Sequence, residues 1–231
     1  MGIYIRIDVD KPYGHKNIFS KILSKINEDY FKIHFNKPYL EGCKKLIKYL
    51  NEHNIQSNIY FRICTQPDKE LKKMLIKGRH SIGLHAENTK NFHTFFKELR
   101  HFEKMSEINI NHFTKHGSGN FKLGKNHYAP YEPDKYKKWA KKLGLKYRFG
   151  NGTLINNINS TPFFHENMFW FEPWHKNSNF SDFKSVLNDA KKNDYVLLIH
   201  PANYETFSNI KKEFEEAINE IKKLNIDIKI I

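Results

Sequence analysis

Residues 3–10 alternate without a break: Ile3, Ile5, Ile7 and Val9 take one set of positions, and Tyr4, Arg6, Asp8 and Asp10 take the other. A period of two marks a β-strand. One face is apolar and suited to packing against helices. The other is polar and carries two carboxylates at its C-terminal end. That layout fits a barrel strand whose end opens into an active site.

The rest of the chain repeats the logic in alternation. Leu40, Cys43, Leu46, Ile47 and Leu50 line one face of a helix over Leu40–His53. Residues 57–63 then read as a strand, 68–78 as a helix ending at Gly78, and 81–84 as a short strand that delivers His85. A helix over about 91–106 and a strand over about 109–114 follow. Asp134–Leu143 reads as a helix, with Pro133 at its start and Gly144 at its end. Tyr147–Phe149 is a short strand, and 150–180 reads as an aromatic-rich loop. Residues 181–192 are helical. Tyr195–Ile199 is a continuous apolar run, as expected of a strand buried on both faces. Phe207, Ile210, Phe214, Ile218, Ile221 and Leu224 mark a last amphipathic helix, and Ile226–Ile231 a last strand. Alternating strands and helices predict a parallel α/β sheet. About seven strands predict a distorted, incomplete (β/α) barrel, formed by 1–231 as one domain.

The chain carries 231 residues, 39% hydrophobic and 15% aromatic, ample for a packed core. Its formal net charge of +14 is spread along helices such as those holding Lys44, Lys45, Lys48 and Lys137, Lys138, Lys141, Lys142. With no run of five like charges and no recognition motif, a nucleic-acid partner is not expected. The two cysteines, Cys43 and Cys64, form neither a disulfide framework nor a zinc knuckle. No stretch has the length of a transmembrane segment, and the opening residues lack the apolar core of a signal peptide. A cytoplasmic protein is the expectation.

Three strand ends carry chemistry. Asp8 and Asp10 lie two apart and point into one space. Two close carboxylates repel, so a metal or a base must accompany them. One can ligate a divalent metal while the other acts as general base on a water. His85 and His200 also end strands, where barrel active sites form.

Together these residues resemble the polysaccharide deacetylase family (carbohydrate esterase family 4, the NodB-homology domain). RIDVD at 6–10, IYFRI at 59–63, GRHSIGLHAENT at 78–89, YAPYEPDKYKKWAKKLGLKY at 128–147 and LLIHP at 197–201 look like its successive motifs. RIDVD and GLHA are especially similar to the branch that deformylates lipid-linked aminosugars. The resemblance implies an incomplete (β/α)7 barrel, a divalent metal of the zinc type, and removal of an N-acetyl or N-formyl group from an amino sugar. It puts Asp8 as catalytic base, Asp10 and His85 as metal ligands and His200 as catalytic acid.

The chain departs from the family at two places. The family's second metal histidine falls at Thr89, a poor ligand; Glu87, His93 and His116 are candidates for the vacancy, and the expected metal set is Asp10, His85 and His116. The arginine that opens the third motif falls at Tyr128, and Arg62 or Arg6 can stand in, because a guanidinium fork pairs with a carboxylate from either side. Lys115, with the turn His116-Gly117-Ser118-Gly119, can bind a phosphate or carboxylate. Tyr131, Arg62 and Trp174 complete the expected substrate contacts. Trp174 belongs to the aromatic stretch 164–176, which also holds Glu166, Glu172 and His175; such a stretch can stack on sugar rings and is also ordinary core or lid material, the reading slightly favoured here. The expected substrate is a nucleotide- or lipid-linked acylated amino sugar of surface-polysaccharide (O-antigen or capsule) biosynthesis. The alternative is a non-catalytic protein of the same fold that binds sugar or a protein partner.

Overall fold

The computed structural model describes residues 2–13, 17–29, 38–117, 123–148, 167–173 and 182–231. Among these residues, seven strands form one parallel sheet: β1 (Ile3–Val9), β2 (Asn58–Phe61), β3 (Ser81–Ala86), β4 (His112–Lys115), β5 (Lys146–Tyr147), β6 (Met168–Trp170) and β7 (Tyr195–Ile199), in the order β5-β4-β3-β2-β1-β7-β6. The described residues also form eight α-helices: α1 (Ile18–Asp29), α2 (Pro38–Glu52), α3 (Lys69–Lys77), α4 (Phe92–Ser106), α5 (Pro133–Leu143), α6 (Phe183–Asp189), α7 (Pro201–Thr206) and α8 (Ser208–Lys223). The sheet curls but β5 and β6 remain its edges, which makes an incomplete (β/α)7 barrel. No described helix is long and apolar enough to cross a membrane.

The period of two in β1 sorts its side chains as expected. Ile3, Ile5, Ile7 and Val9 join the large core between sheet and helices. Tyr4 joins a smaller interior cluster with Tyr60, Met168, Trp170, Val196 and Leu198. The polar residues Arg6 and Asp8 occupy the same inner face and are buried there. Gly83 makes room inside: a Cβ there would stand 2.5 Å from the His112 ring and 2.6 Å from Tyr60.

Helix ends follow local chemistry. Asp68, Asn91 and Asp182 cap α3, α4 and α6 by accepting the amides of Leu71, Thr94 and Ser185. Pro133 opens α5, and Gly144 closes it at φ +67°.

The count of seven strands is met by a different seven. Residues 226–231 contribute only a bridge between Ile228 and Ile3. Pairing of β1 with β2 begins at Arg6, so only the first residues of β1 are free on that edge. Ile3 fills it by donating to Asp227 O and accepting from Lys229 N, each at 2.8 Å. The seventh strand is instead β6, which lies inside the stretch expected to be loop. Its three residues are too short to show a period. The helices α1 and α7 were also not expected.

Candidate functional site

Parallel strands all end on the same side, and the side chains that follow those ends meet there. Asp10 follows β1, His85 lies near the end of β3, His116 follows β4 and His200 follows β7. The Asp10 Oδ1 atom lies 3.1 Å from His85 Nε2 and 3.3 Å from His116 Nδ1. Its Oδ2 lies 3.4 Å from His200 Nε2. Asp8 stands beside the group, with Oδ2 3.5 Å from His85 Nε2. All five expected polar residues therefore meet in one place.

The ligand atoms of Asp10, His85 and His116 lie within 4.8 Å of one another. Asp10 Oδ1 and His116 Nδ1 are buried and have no hydrogen-bond partner. Orphaned buried polar atoms are costly unless something binds them. A tetrahedral ion with ligands at 2.0–2.2 Å sets neighbouring ligand atoms about 3.3–3.5 Å apart. The 3.1 and 3.3 Å separations fit such an ion. The residues present thus suit a divalent metal held by one carboxylate and two imidazoles. Thr89 is outside this set; it is fully buried, with its hydroxyl 3.4 Å from Tyr136 Oη. Glu87 pairs with Arg62, and His93 sits in the first turn of α4.

The surroundings hold the site in shape. Arg6 grips Asp8 through two hydrogen bonds, Nε to Oδ1 at 2.8 Å and Nη2 to Oδ2 at 2.6 Å, both buried. Of the two arginines expected to stand in at Tyr128, Arg6 meets the carboxylate. Burial disfavours the charge of Arg6, and Asp8 more than reverses that, so its pKa is raised and it stays a cation. Arg62 is 1% exposed and donates to Glu87 and to the backbone carbonyl of Asp10. Those hydrogen bonds tie β2 to the residue after β1. Beyond β3, Glu98 accepts the amides of Glu87 and Asn88 at 2.8–3.2 Å. Burial pushes its carboxyl up to about 8, with Glu87 adding to the effect.

The carbonyl of His116 is held twice. Lys115 Nζ donates to it at 3.0 Å and to Gly117 O at 2.5 Å. His127 Nε2 donates to it at 2.9 Å while its Nδ1 accepts from Leu123 N at 3.1 Å. Gly117 takes φ +58°, and a Cβ there would lie 2.5 Å from Leu123 Cδ1, so the turn after His116 needs glycine. Burial lowers Lys115 to about 7 and His127 to about 4. Lys115 is 1% exposed and its hydrogen bonds go to the chain itself. Tyr131 packs edge-on to Tyr136, and its hydroxyl accepts from Tyr147 Oη at 3.0 Å. Residues 118–122 and Trp174 lie outside the described residues.

His200 has a partner that sequence reading placed only in an aromatic stretch. Glu172 is fully buried; its Oε1 accepts from His200 Nδ1 at 2.9 Å, from His200 N at 3.0 Å and from Asn203 Nδ2 at 3.1 Å. Burial pushes His200 down, but Glu172 and Asp10 outweigh it and hold the ring well above the usual histidine range. Burial likewise pushes Asp10 up, and His116 and His85 reverse that to hold it well below the usual carboxylate range. Trp170 stacks on the His200 ring at 6.0 Å. Glu172 occupies the same kind of place as Asp10, two residues past the last residue of β6 (Met168–Trp170), a strand too short to mark its end in the sequence.

No protein-family model matches the sequence, and no curated protein matches it. Solved structures do. A probable polysaccharide deacetylase from Pseudomonas aeruginosa superposes with a TM-score of 0.55 at 10% identity, over 99% of this chain and 87% of that one. A peptidoglycan N-acetylglucosamine deacetylase gives 0.52 at 10% identity, over 100% and 86%. A family 4 carbohydrate esterase pseudoenzyme from Bacillus anthracis gives 0.52 at 11% identity, and this chain spans 63% of its length. At such identities the likeness is one of architecture, and the fold of this chain is that of the family 4 polysaccharide deacetylases.

Proposed function

We propose that the protein is a metal-dependent hydrolase that removes an N-acetyl or N-formyl group from an amino sugar. The supporting observation is the set of Asp10, His85 and His116, in which the unpartnered Asp10 Oδ1 lies 3.3 Å from the unpartnered His116 Nδ1 and 3.1 Å from His85 Nε2, between Asp8 and His200. A divalent ion of the zinc type, held by those three, would polarise the amide carbonyl and make water a better nucleophile.

The chain's own residues supply the proton transfers. Asp8 is the base. Arg6 occupies one lone pair on each oxygen and leaves Oδ2, on the His85 side, with room for the proton of the attacking water. His200 is the acid. Its Nδ1–H is held by Glu172, which fixes the ring and directs Nε2 toward the site. Nε2 gives its proton to the sugar nitrogen as the C–N bond breaks, and the acyl group leaves as a carboxylate. Arg62 and Lys115 are positioning residues that hold the backbone of Asp10 and His116.

We assign the substrate to nucleotide- or lipid-linked amino sugars of surface-polysaccharide synthesis in the cytoplasm. The formal charge of +14 suits a diphosphate-bearing molecule. The non-catalytic reading draws on Thr89 and Tyr128. Against it stand His116 and Arg6, whose geometry suits the functions those positions lack. The test is to incubate zinc-loaded protein with N-acetyl and N-formyl amino sugars, free and diphosphate-linked, and to measure released acetate or formate. Release that stops in Asp8→Asn supports the hydrolase. Sugar binding without release supports the non-catalytic reading.

A further inference from the structure

Amphipathic helices normally bury their apolar stripe. Helix α1 does the reverse. Ile18, Phe19 and Ile22 are 75%, 68% and 51% exposed, while Ser24 on the opposite side is buried. At 100° per residue those three fall within an arc of about 100°. Leu123 is also exposed and is tied to the helix, because Lys25 Nζ donates to its carbonyl. The other large exposed apolar residues among those described, Ile76 and Met105, stand singly on α3 and α4.

The patch is tied to the site by two struts. Tyr13, three residues after Asp10, donates its amide to Ser24 Oγ on α1 at 3.0 Å. Leu123 donates its amide to His127, which holds the His116 carbonyl. The stripe therefore sits on the loops that carry two of the three metal-set residues, at the open end of the barrel.

We propose that α1 seats this open end on an anionic lipid surface. Lys21 and Lys25 run along one flank of the stripe, and Glu28 and Asp29 fall only in the last turn. An apolar stripe edged by lysines is the pattern of a helix that lies in the plane of a membrane interface. The formal charge of +14 adds long-range attraction to anionic headgroups. A second copy of the chain fits less well. Four side chains present a few hundred Å², and a stable dimer buries about 800 Å² per partner.

The test uses the whole protein and sedimenting vesicles, and owes nothing to the hydrolase reading, since neither metal nor turnover enters. The protein co-sediments with phosphatidylglycerol–phosphatidylcholine vesicles and much less with phosphatidylcholine alone. The triple variant Ile18→Ser, Phe19→Ser, Ile22→Ser binds at least about tenfold more weakly with unchanged circular dichroism. Lys21→Gln, which leaves the apolar stripe intact, binds about fivefold more weakly, an effect that added salt erases. Absent co-sedimentation, or equal binding by the folded triple variant and wild type, overturns the proposal. So does a concentration-dependent dimer, seen by ultracentrifugation without vesicles, that the triple variant abolishes.

Discussion

Buried histidines stand at both ends of the sheet, and the two ends treat them differently. At the N-terminal end, His80 accepts from Ser57 N at 3.0 Å through Nδ1 and meets Asn51 Oδ1 at 2.9 Å through Nε2. His112 meets Tyr60 Oη at 3.0 Å and Ser81 Oγ at 2.8 Å. Every ring nitrogen there has a protein partner. At the C-terminal end, Asp10 Oδ1, His85 Nδ1 and His116 Nδ1 have none. A folded chain rarely tolerates such groups without a use for them. A histidine satisfied by its own protein is part of the scaffold; His116, whose unpartnered Nδ1 lies 3.3 Å from the unpartnered Asp10 Oδ1, is placed to hold a ligand.

Substitutions can break or sharpen that contrast. The largest effect falls at the open end. A metal contributes several kcal/mol to a hydrolytic transition state, so Asp10→Asn, His85→Ala or chelation should each slow sugar deacylation on the order of 10³-fold. The melting temperature of the metal-free protein should hardly move. Arg6→Met is next: it leaves the Asp8 carboxylate buried and unpaired, at a cost of about 3–5 kcal/mol in denaturant unfolding.

Acid comes third. Burial lowers His80 to about 4 and His112 to about 3. The unfolded chain, with histidines near 6.5, takes up protons before the folded one does. Their stability contribution is complete above about pH 6.5 and is lost as pH falls toward 4 and then 3. Each should remove about 2 kcal/mol by pH 5, read as stability against pH, and His112→Gln should remove its share of that slope. His112→Ala at neutral pH should cost about 1–3 kcal/mol, since it removes the hydrogen bonds of the ring to Tyr60 Oη and Ser81 Oγ, and should leave metal content intact. Smallest of all, Thr89→Val should change stability by under about 1 kcal/mol and metal content not at all, since its hydroxyl makes a long contact to Tyr136.

Much of this site is legible in the sequence because strand ends are. The alternation of residues 3–10 places Asp8 and Asp10 on the inner face, and the apolar runs before His85 and His200 mark two more ends. What is not legible is pairing across space. Nothing in the spacing decides between Arg6 and Arg62 for Asp8; the geometry does, because Arg62 is drawn to Glu87. Glu172 is hidden because β6 has only three residues, too few to stand out from its aromatic neighbours. The terminal apolar run failed as a strand for a tertiary reason: β2 had already taken the partner edge of β1. Helix α1 was missed although Ile18, Ile22 and Ile26 recur at helical spacing.

The central claim is that His116, and not residue 89, completes a metal set with Asp10 and His85. The most direct measurement is the divalent metal content of purified wild type, His116→Ala and Thr89→Val, each after incubation with zinc and desalting. About one ion per chain is expected in wild type and Thr89→Val, and little in His116→Ala. Wild type without metal, or His116→Ala that keeps a full complement, would contradict it.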